Sequence, residues 1–471
     1  MSESTNPRAI STRAPVRWIE IDNFGALGRV KLPLDRPLQI VIGPQASGKS
    51  TLAKSIYFCR KIRDYLVVYV RDIMNGYNGG EYNGEYYANF LKYLRNPFVW
   101  CFGTTRHMED FLIRFCYDEA HDGVKAKSVT ITLDADRYAS FRFSDGVRAE
   151  IEDVFQEVLK AVKNIPDSIS DAFSAQENIL KLVRRRAETI FSDDEKLLYI
   201  PAGRNLLATI PDLIQPDSGD ANSTHHYVDI RQTDVITQDF VRYIQLMRKR
   251  FGSRLEEITQ NYLKTVKGQI RNRDVELACS LVRNILKADY VYDPDGEKLY
   301  YEGNKWVKLM FGSSGQQEVL WALNCIFLII LQNEKTFLVF EEPESHIFPD
   351  AQESVAQLVA LMINSSESEA FLTTHSPYML TAVNLLIYSG FVEGDSNSSA
   401  TVQRQYRMKP RSVAAYMLPK SKAEPKDLIN PKRGLIDALK IDGVSESINE
   451  RMDMLFDKQM ERKHAGKGTT E

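Results

Sequence analysis

The chain has 471 residues, 43% of them hydrophobic and 26% charged, which excludes the disordered and collagen-like classes. At roughly 150 residues per domain this is about three domains' worth of chain. Lys and Arg number 60 and Asp and Glu 63, a formal charge of −3, so no global positive field holds nucleic acid and any such binding needs a local patch. Cys59, Cys101, Cys116, Cys279 and Cys325 form no C-x-x-C pair, which argues against a disulfide framework or zinc ribbon and fits a reducing cytoplasm. The N-terminus is polar, without the apolar core of a secretory signal. The longest strongly apolar stretch, Cys325 to Leu331, is far shorter than the roughly 20 residues of a spanning helix. A cytoplasmic protein with no membrane segment is expected.

Residues 1 to about 15 read as an arm. Val16 to Ile21 alternates apolar and polar side chains, the period of a strand. Pro37 to Ile42 is apolar almost throughout, as a strand buried on both faces should be. Thr51 to about Arg63 has helix composition, and Gly76 to Tyr87 reads as a loop. Ser128–Leu133 and Tyr138–Phe143 predict a hairpin, with Asp134 and Asp136 fitting its turn better than a metal site. Val147 to Phe191 is helical in pattern and carries Arg184, Arg185 and Arg186 near its end. Tyr199 to Asn205 follows as strand and loop. Residues 211–227 predict an exposed loop whose His225-His226 pair reads as solvated rather than metal-binding.

Phe240 to about Ala288 predicts one or two long amphipathic helices. Their Arg248, Lys249, Arg250, Arg254, Lys264, Lys267, Arg271 and Arg273 read as a solvated face before a nucleic-acid or partner surface. A hairpin around Asp293–Gly296 precedes a second α/β block: helix Gln316–Leu331, strand Thr336–Phe340, helix Asp350–Ile363 and strand Ala370–Thr374. Residues 394–400 and 419–426 are polar connectors. Leu428 to Lys463 reads as charged and mostly helical.

Gly43-Pro44-Gln45-Ala46-Ser47-Gly48-Lys49-Ser50-Thr51 contains G-x-x-x-x-G-K-[ST] between a buried strand and a helix, the context a phosphate-binding loop requires. Its glycines let backbone N–H groups curl around phosphates, and the helix N-terminus adds its dipole. Lys49 is expected on the β- and γ-phosphates of ATP and Ser50 on Mg²⁺. Glu341-Glu342-Pro343 ends a fully apolar strand, where paired carboxylates are costly without a cation or hydrogen bonds. Glu341 is expected to bind the metal and Glu342 to polarise the attacking water.

Two further motifs complete the set, Ser313-Ser314-Gly315-Gln316-Gln317 before an apolar helix and Thr373-Thr374-His375-Ser376-Pro377 after a strand. In the order P-loop, signature turn, Glu-Glu, His, the sequence resembles the ABC-type ATPase family. By that resemblance Ser314 and Gly315 contact the γ-phosphate of ATP held by another subunit, and His375 is the switch histidine. Glu341-Glu-Pro-Glu-Ser-His346-Ile-Phe-Pro349 resembles the form found in SMC-like and OLD-like ATPases rather than in transporters. Tyr199-Ile-Pro-Ala-Gly-Arg204 is similar to a stretch of the stand-alone ATPases of bacterial antiphage systems. Two departures stand out. No glutamine lies between Thr51 and Glu150, where the class has its Q-loop, and no Asp-x-Asp follows His375, as a TOPRIM nuclease would need.

The expected fold is α/β: an ABC-type P-loop ATPase head split between residues 1–145 and 295–471, with a mainly helical insertion over 146–294. The resemblance implies a homo-oligomer, at least a dimer, that sandwiches ATP and Mg²⁺ between subunits. It implies a phage trigger protein and a separate nuclease effector of TOPRIM or HNH type as partners, with no nuclease centre in this chain. An SMC-like DNA-binding ATPase of DNA repair is the alternative.

Overall fold

The computed structural model describes residues 15–75, 85–120, 125–165, 169–204, 234–265, 269–394, 401–420 and 423–437, with the single positions Gly123 and Met452. The expected N-terminal arm, most of the Gly76–Tyr87 loop, the 211–227 loop with His225-His226, most of the 394–400 connector and nearly all of the chain beyond Asp437 lie outside the described residues.

In chain order the first part runs β1 (Trp18–Asp22), β2 (Val30–Pro33), β3 (Leu38–Ile42), α1 (Lys49–Met74), α2 (Tyr86–Tyr93), α3 (Arg95–Phe102), β4 (Leu112–Asp118), β5 (Lys127–Leu133), β6 (Ala139–Phe143), α4 (Asp145–Val162), α5 (Ile169–Ile190) and β7 (Lys196–Ile200). The second runs α6 (Val235–Arg248), α7 (Leu255–Thr265), α8 (Gln269–Leu286), β8 (Asp289–Asp293), β9 (Gly296–Tyr300), β10 (Trp306–Lys308), α9 (Ser314–Gln332), β11 (Thr336–Glu341), α10 (Pro349–Ser366), β12 (Glu369–Thr374), α11 (Pro377–Val392), β13 (Val413–Met417) and β14 (Lys426–Asp427).

A six-stranded sheet in the order β14-β13-β3-β12-β11-β7 is the spine, parallel except for its antiparallel edge β14. Its strands divide their side chains between two cores. Leu38, Ile40, Ile42, Leu338, Phe340 and Leu372 enter one with the helices of the second half, including α8 to α11. Val41, Phe337, Val339 and Phe371 enter the other, with α1, α3, α4 and the five-stranded antiparallel sheet β2-β1-β4-β5-β6. Burial on both faces explains why these strands read as unbroken apolar runs. The fold is the expected α/β class, a P-loop head assembled from both ends of the chain.

α1 runs to Met74, well past the expected end near Arg63. Its second half, Leu66-Val67-Val68-Tyr69-Val70, is β-branched and aromatic, which disfavours a helix reading. Burial overrides propensity: Ile62, Leu66, Tyr69 and Val70 form one buried stripe, with Tyr69 against Phe90 and Phe155 at 5.4 and 5.8 Å between ring centroids. The stretch expected as one or two helices is three, α6, α7 and α8, with the Asp234 side chain capping α6 through the N–H groups of Ile236 and Thr237. β7 falls inside the segment 146–294 yet forms the edge of the spine beside β11, and α8 packs into the same core as α9 and α10.

The described start of the C-terminal stretch, Leu428–Asp437, is not helical. The Asn430 side chain accepts the N–H groups of Lys432 and Arg433, and the turn closes in an Ile429–Ile436 bridge. α9 is long and apolar enough to resemble a membrane span, but every residue from Glu318 to Leu331 is buried. The five cysteines are buried free thiols.

At the N-terminal ends of the parallel strands lies a buried charge cluster. Arg60 reaches Asp193 and Glu195, each at 2.7 Å, and Glu369 at 2.8 Å. Arg63 lies 3.0 Å from Asp193, and Arg17 lies 3.1 Å from Glu369. Burial alone would raise the Asp193 carboxyl, but Arg60, Arg63 and Arg17 outweigh it and hold it well below the usual carboxylate range. The cluster clamps β1, α1, β7 and β12 together at the end of the sheet opposite the P-loop.

Candidate functional site

The turn after β3 is shaped by two glycines. The Leu418 N–H donates to the Ile42 carbonyl at 2.8 Å, and a Cβ on Gly43 would meet the Leu418 carbonyl oxygen at 2.6 Å. Gly48 has φ 90°, left-handed, and a Cβ there would lie 2.8 Å from Leu27 Cγ. Ala46 holds a positive φ of 61° without that excuse. Pro44, Gln45, Ala46 and Ser50 are exposed and Thr51 half-buried, while the Ser47 hydroxyl is buried with no hydrogen-bond partner.

Lys49 is buried, and its Nζ donates to the carbonyls of Gly43 at 2.9 Å and Pro44 at 3.0 Å. Burial pushes its ammonium below the ordinary lysine range, against the opposing pull of Glu342, Glu344 and Glu341. A cation curled onto its own loop beside three carboxylates is poised to move toward phosphate.

Glu341, at the end of β11, is buried: its Oε2 accepts the Ala202 N–H at 3.1 Å, and its Oε1 has no hydrogen-bond partner. A buried, half-satisfied carboxylate fits a cation. Mg²⁺ keeps several waters and is commonly held by one or two side chains plus substrate phosphates. Ser50 and Glu341 are of the donor types such a site uses, so the residues present fit ATP with Mg²⁺.

Glu342 has a left-handed φ of 44° and donates its N–H to the Thr373 carbonyl at 2.8 Å. Its Oε1 lies 3.5 Å from His375 Nε2, and its Oε2 accepts from Ser345 Oγ at 3.1 Å. The His375 N–H donates to Glu344 Oε1 at 2.6 Å, and Glu344 Oε2 is buried without a hydrogen-bond partner. Lys49, Glu341, Glu342 and His375 therefore converge. Glu344 joins them, although sequence reasoning gave it no role; the signal was its place in the Glu-Glu-Pro-Glu run.

The signature turn is built separately. Ser313 and Gln316 form a capping box at the start of α9, and the Gln317 side chain donates to the carbonyls of Leu309, Met310 and Gly312. Ser314 is left exposed. A Cβ on Gly315 would meet the His346 carbonyl oxygen at 2.5 Å, so the turn sits directly on the loop after Glu342. Ser314 and Gly315 thus lie against the His346 loop, outside the P-loop cradle.

In the sequence Arg204 stands out only as the end of the Tyr199–Arg204 stretch. It is fully buried, and its guanidinium bridges the acidic strand end and α9.

Other candidates are taken up structurally. Asp134 accepts the N–H groups of Asp136 and Tyr138 and pairs with Arg95 at 2.8 Å, so it builds the hairpin turn. Arg248 is buried over Tyr292, Arg254 bonds Asn304, and Arg273 lies 3.7 Å from Glu276. Lys267 and the Arg271 side chain lie outside the described residues. Among the described residues, the basic positions of α6 to α8 do not make one continuous free face.

Solved structures similar to this chain include three heads of one kind. The Smc head bound to the C-winged helix domain of ScpA is 13% identical over 89% of this chain and 98% of that one, at a TM-score of 0.40. The SMC head domain from Thermotoga maritima is 10% identical over 78% and 92%, at 0.34. The Smc head with an extended coiled coil bound to the C-terminal domain of ScpA, from Pyrococcus furiosus, is 14% identical over 92% and 99%, at 0.36. No curated protein matches. The family model described as an AAA ATPase domain, AAA_15, matches residues 16–380, well over half of the chain. With a phosphate loop and paired carboxylates at the places an ATPase needs them, the chain belongs to this AAA ATPase domain family.

Proposed function

We propose that this ATPase is an ABC-type scaffold and sensor subunit of a bacterial antiphage defence system, which senses a phage trigger and controls a separate nuclease effector. The observation that carries the ATPase chemistry is the convergence of Lys49, Glu341, Glu342 and His375 on one end of the spine. The defence role is supported by the form of the Glu341–Pro349 and Tyr199–Arg204 stretches. In size and overall layout the chain is most like the PARIS ATPase AriA and next like the Septu ATPase PtuA. The subunit works in the cytoplasm as at least a dimer, each signature turn closing on the other subunit's nucleotide.

Lys49 exchanges its two loop carbonyls for phosphate oxygens, so its charge is already in place when negative charge develops. Ser50 and Glu341 would hold Mg²⁺, which when bound would supply charge neutralisation on the phosphates. Glu342 orients the attacking water and accepts its proton. His375 sits beside it, its backbone fixed by Glu344. Ser314 and Gly315 contact the γ-phosphate in the other subunit's site.

Glu342→Gln tests this directly. Hydrolysis should fall by about 10²–10⁴-fold, while binding of a fluorescent ATP analogue persists because the P-loop is untouched. Turnover near wild type would remove Glu342 from its role.

A further inference from the structure

The Arg204 side chain presents five N–H groups, and all five are used, four of them on two structural units and one on the Pro201 carbonyl of its own loop. Nε donates to the Glu318 carbonyl at 3.1 Å, and Nη2 lies 3.3 Å from Glu318 Oε1. On the other side, Nη1 donates to the carbonyls of Glu341 at 2.6 Å and Pro201 at 2.7 Å, and Nη2 donates to the Glu342 carbonyl at 3.1 Å. The backbone N–H of Arg204 reaches Glu318 Oε1 at 3.1 Å. Glu318 stands one helical turn after Ser314, so it moves with the signature turn. One fully buried guanidinium therefore holds both the carbonyls of the two catalytic-strand glutamates and the first turns of α9.

Glu342 is pinned from both sides. Its N–H is tied to Thr373 in β12, two residues before His375, and its C=O is tied to Arg204. At φ 44° it has little freedom to move alone. A second contact runs the same way, the close approach of the His346 carbonyl to Gly315. The acidic strand end and the turn that carries Ser314 are thus joined twice, through Arg204 and by that direct contact.

We propose that Arg204, with Glu318, is a positioning pair that couples a subunit's own hydrolytic carboxylates to the signature turn it presents to the other subunit's nucleotide. The two nucleotide sites of the assembly then turn over cooperatively instead of independently. This rests on the composite-site reading above. Arginine suits the place because its planar fork serves four carbonyls and one carboxylate at once, which a lysine ammonium with three donors does not.

The test measures kcat, KM and the Hill coefficient for ATP, with thermal melting, for wild type, Glu318→Gln and Arg204→Lys. Glu318→Gln is nearly isosteric and keeps the carbonyl that accepts from Nε, which guards against simple unfolding. The expected result is wild-type-like binding of a fluorescent ATP analogue, a kcat lower by about tenfold and a Hill coefficient reduced toward unity. A Glu318→Gln protein with unchanged kcat and Hill coefficient overturns the coupling. So does a variant that only melts earlier and keeps wild-type kinetics per folded molecule. Ser314→Arg in the otherwise native chain is the separate control. If it leaves hydrolysis intact, the composite-site reading fails and this inference with it. If it blocks hydrolysis while Glu318→Gln does not, only the coupling fails.

Discussion

Asp193 shows at residue scale what a buried charge is worth when its partners are fixed. It is inaccessible and shared by Arg60, Arg63 and Arg17. Removing one member of such a set leaves the others uncompensated, and Asp193→Asn should cost about 3–5 kcal/mol in denaturant unfolding. The sign with pH follows from its depressed carboxyl. Its contribution is complete above the unfolded value near about pH 3.9 and is lost as pH falls below that toward the folded value. Glu195 acts in the opposite sense, because burial raises its carboxyl against the pull of Arg60. The informative measurement is therefore the difference between wild type and Asp193→Asn across pH 3 to 7. That difference should shrink on the acid side, and a pH-independent difference would show that the charge is not what stabilises.

The P-loop element has a local sequence pattern held in place by close packing from distant segments. Gly43→Ala drives a Cβ into the Leu418 carbonyl and should lower stability by about 1–3 kcal/mol, with nucleotide binding lost in a titration with a fluorescent ATP analogue. Gly146→Ala, in α4 where a Cβ meets nothing within 4 Å, is the control and should be neutral or stabilising. Residues 43–51, Glu341, Glu342 and the strands beneath them were legible in sequence because each belongs to a short contiguous pattern, even though Leu418, Leu27, Ala202 and Thr373 come from far along the chain to hold them. Arg204 and Glu344 were not assigned, because their roles exist only where β7, α9, β11 and β12 meet. The length of α1 was hidden by a β-branched run that tertiary burial overrules. The membership of β7 in the spine was hidden because a parallel edge strand names no partner in its own sequence. Pro431 and Gly434 break the helix expected after Leu428, and the turn chemistry of Asn430 takes its place.

At the scale of the assembly, the separation of Ser314 from the P-loop cradle makes a complementation experiment decisive. Ser314→Arg and Lys49→Ala proteins should each be inactive. On the dimer proposed above, mixing them gives heterodimers with one intact site, and hydrolysis should return to a fraction of the wild-type rate; no recovery over a range of mixing ratios would argue against a shared site.

The order of strands has a further consequence, for biosynthesis. β3 lies between β12 and β13, both from the far end of the chain. Roughly 370 residues separate Ile42 from Val413. At about 5–20 residues per second, the ribosome takes roughly 20–75 seconds to supply the second flank of the P-loop strand. Until β12 and then β13 are made, Leu38–Ile42, fully buried in the finished protein, lacks the two strands that flank it. The nucleotide cradle, encoded first, is among the last parts of the molecule to be finished.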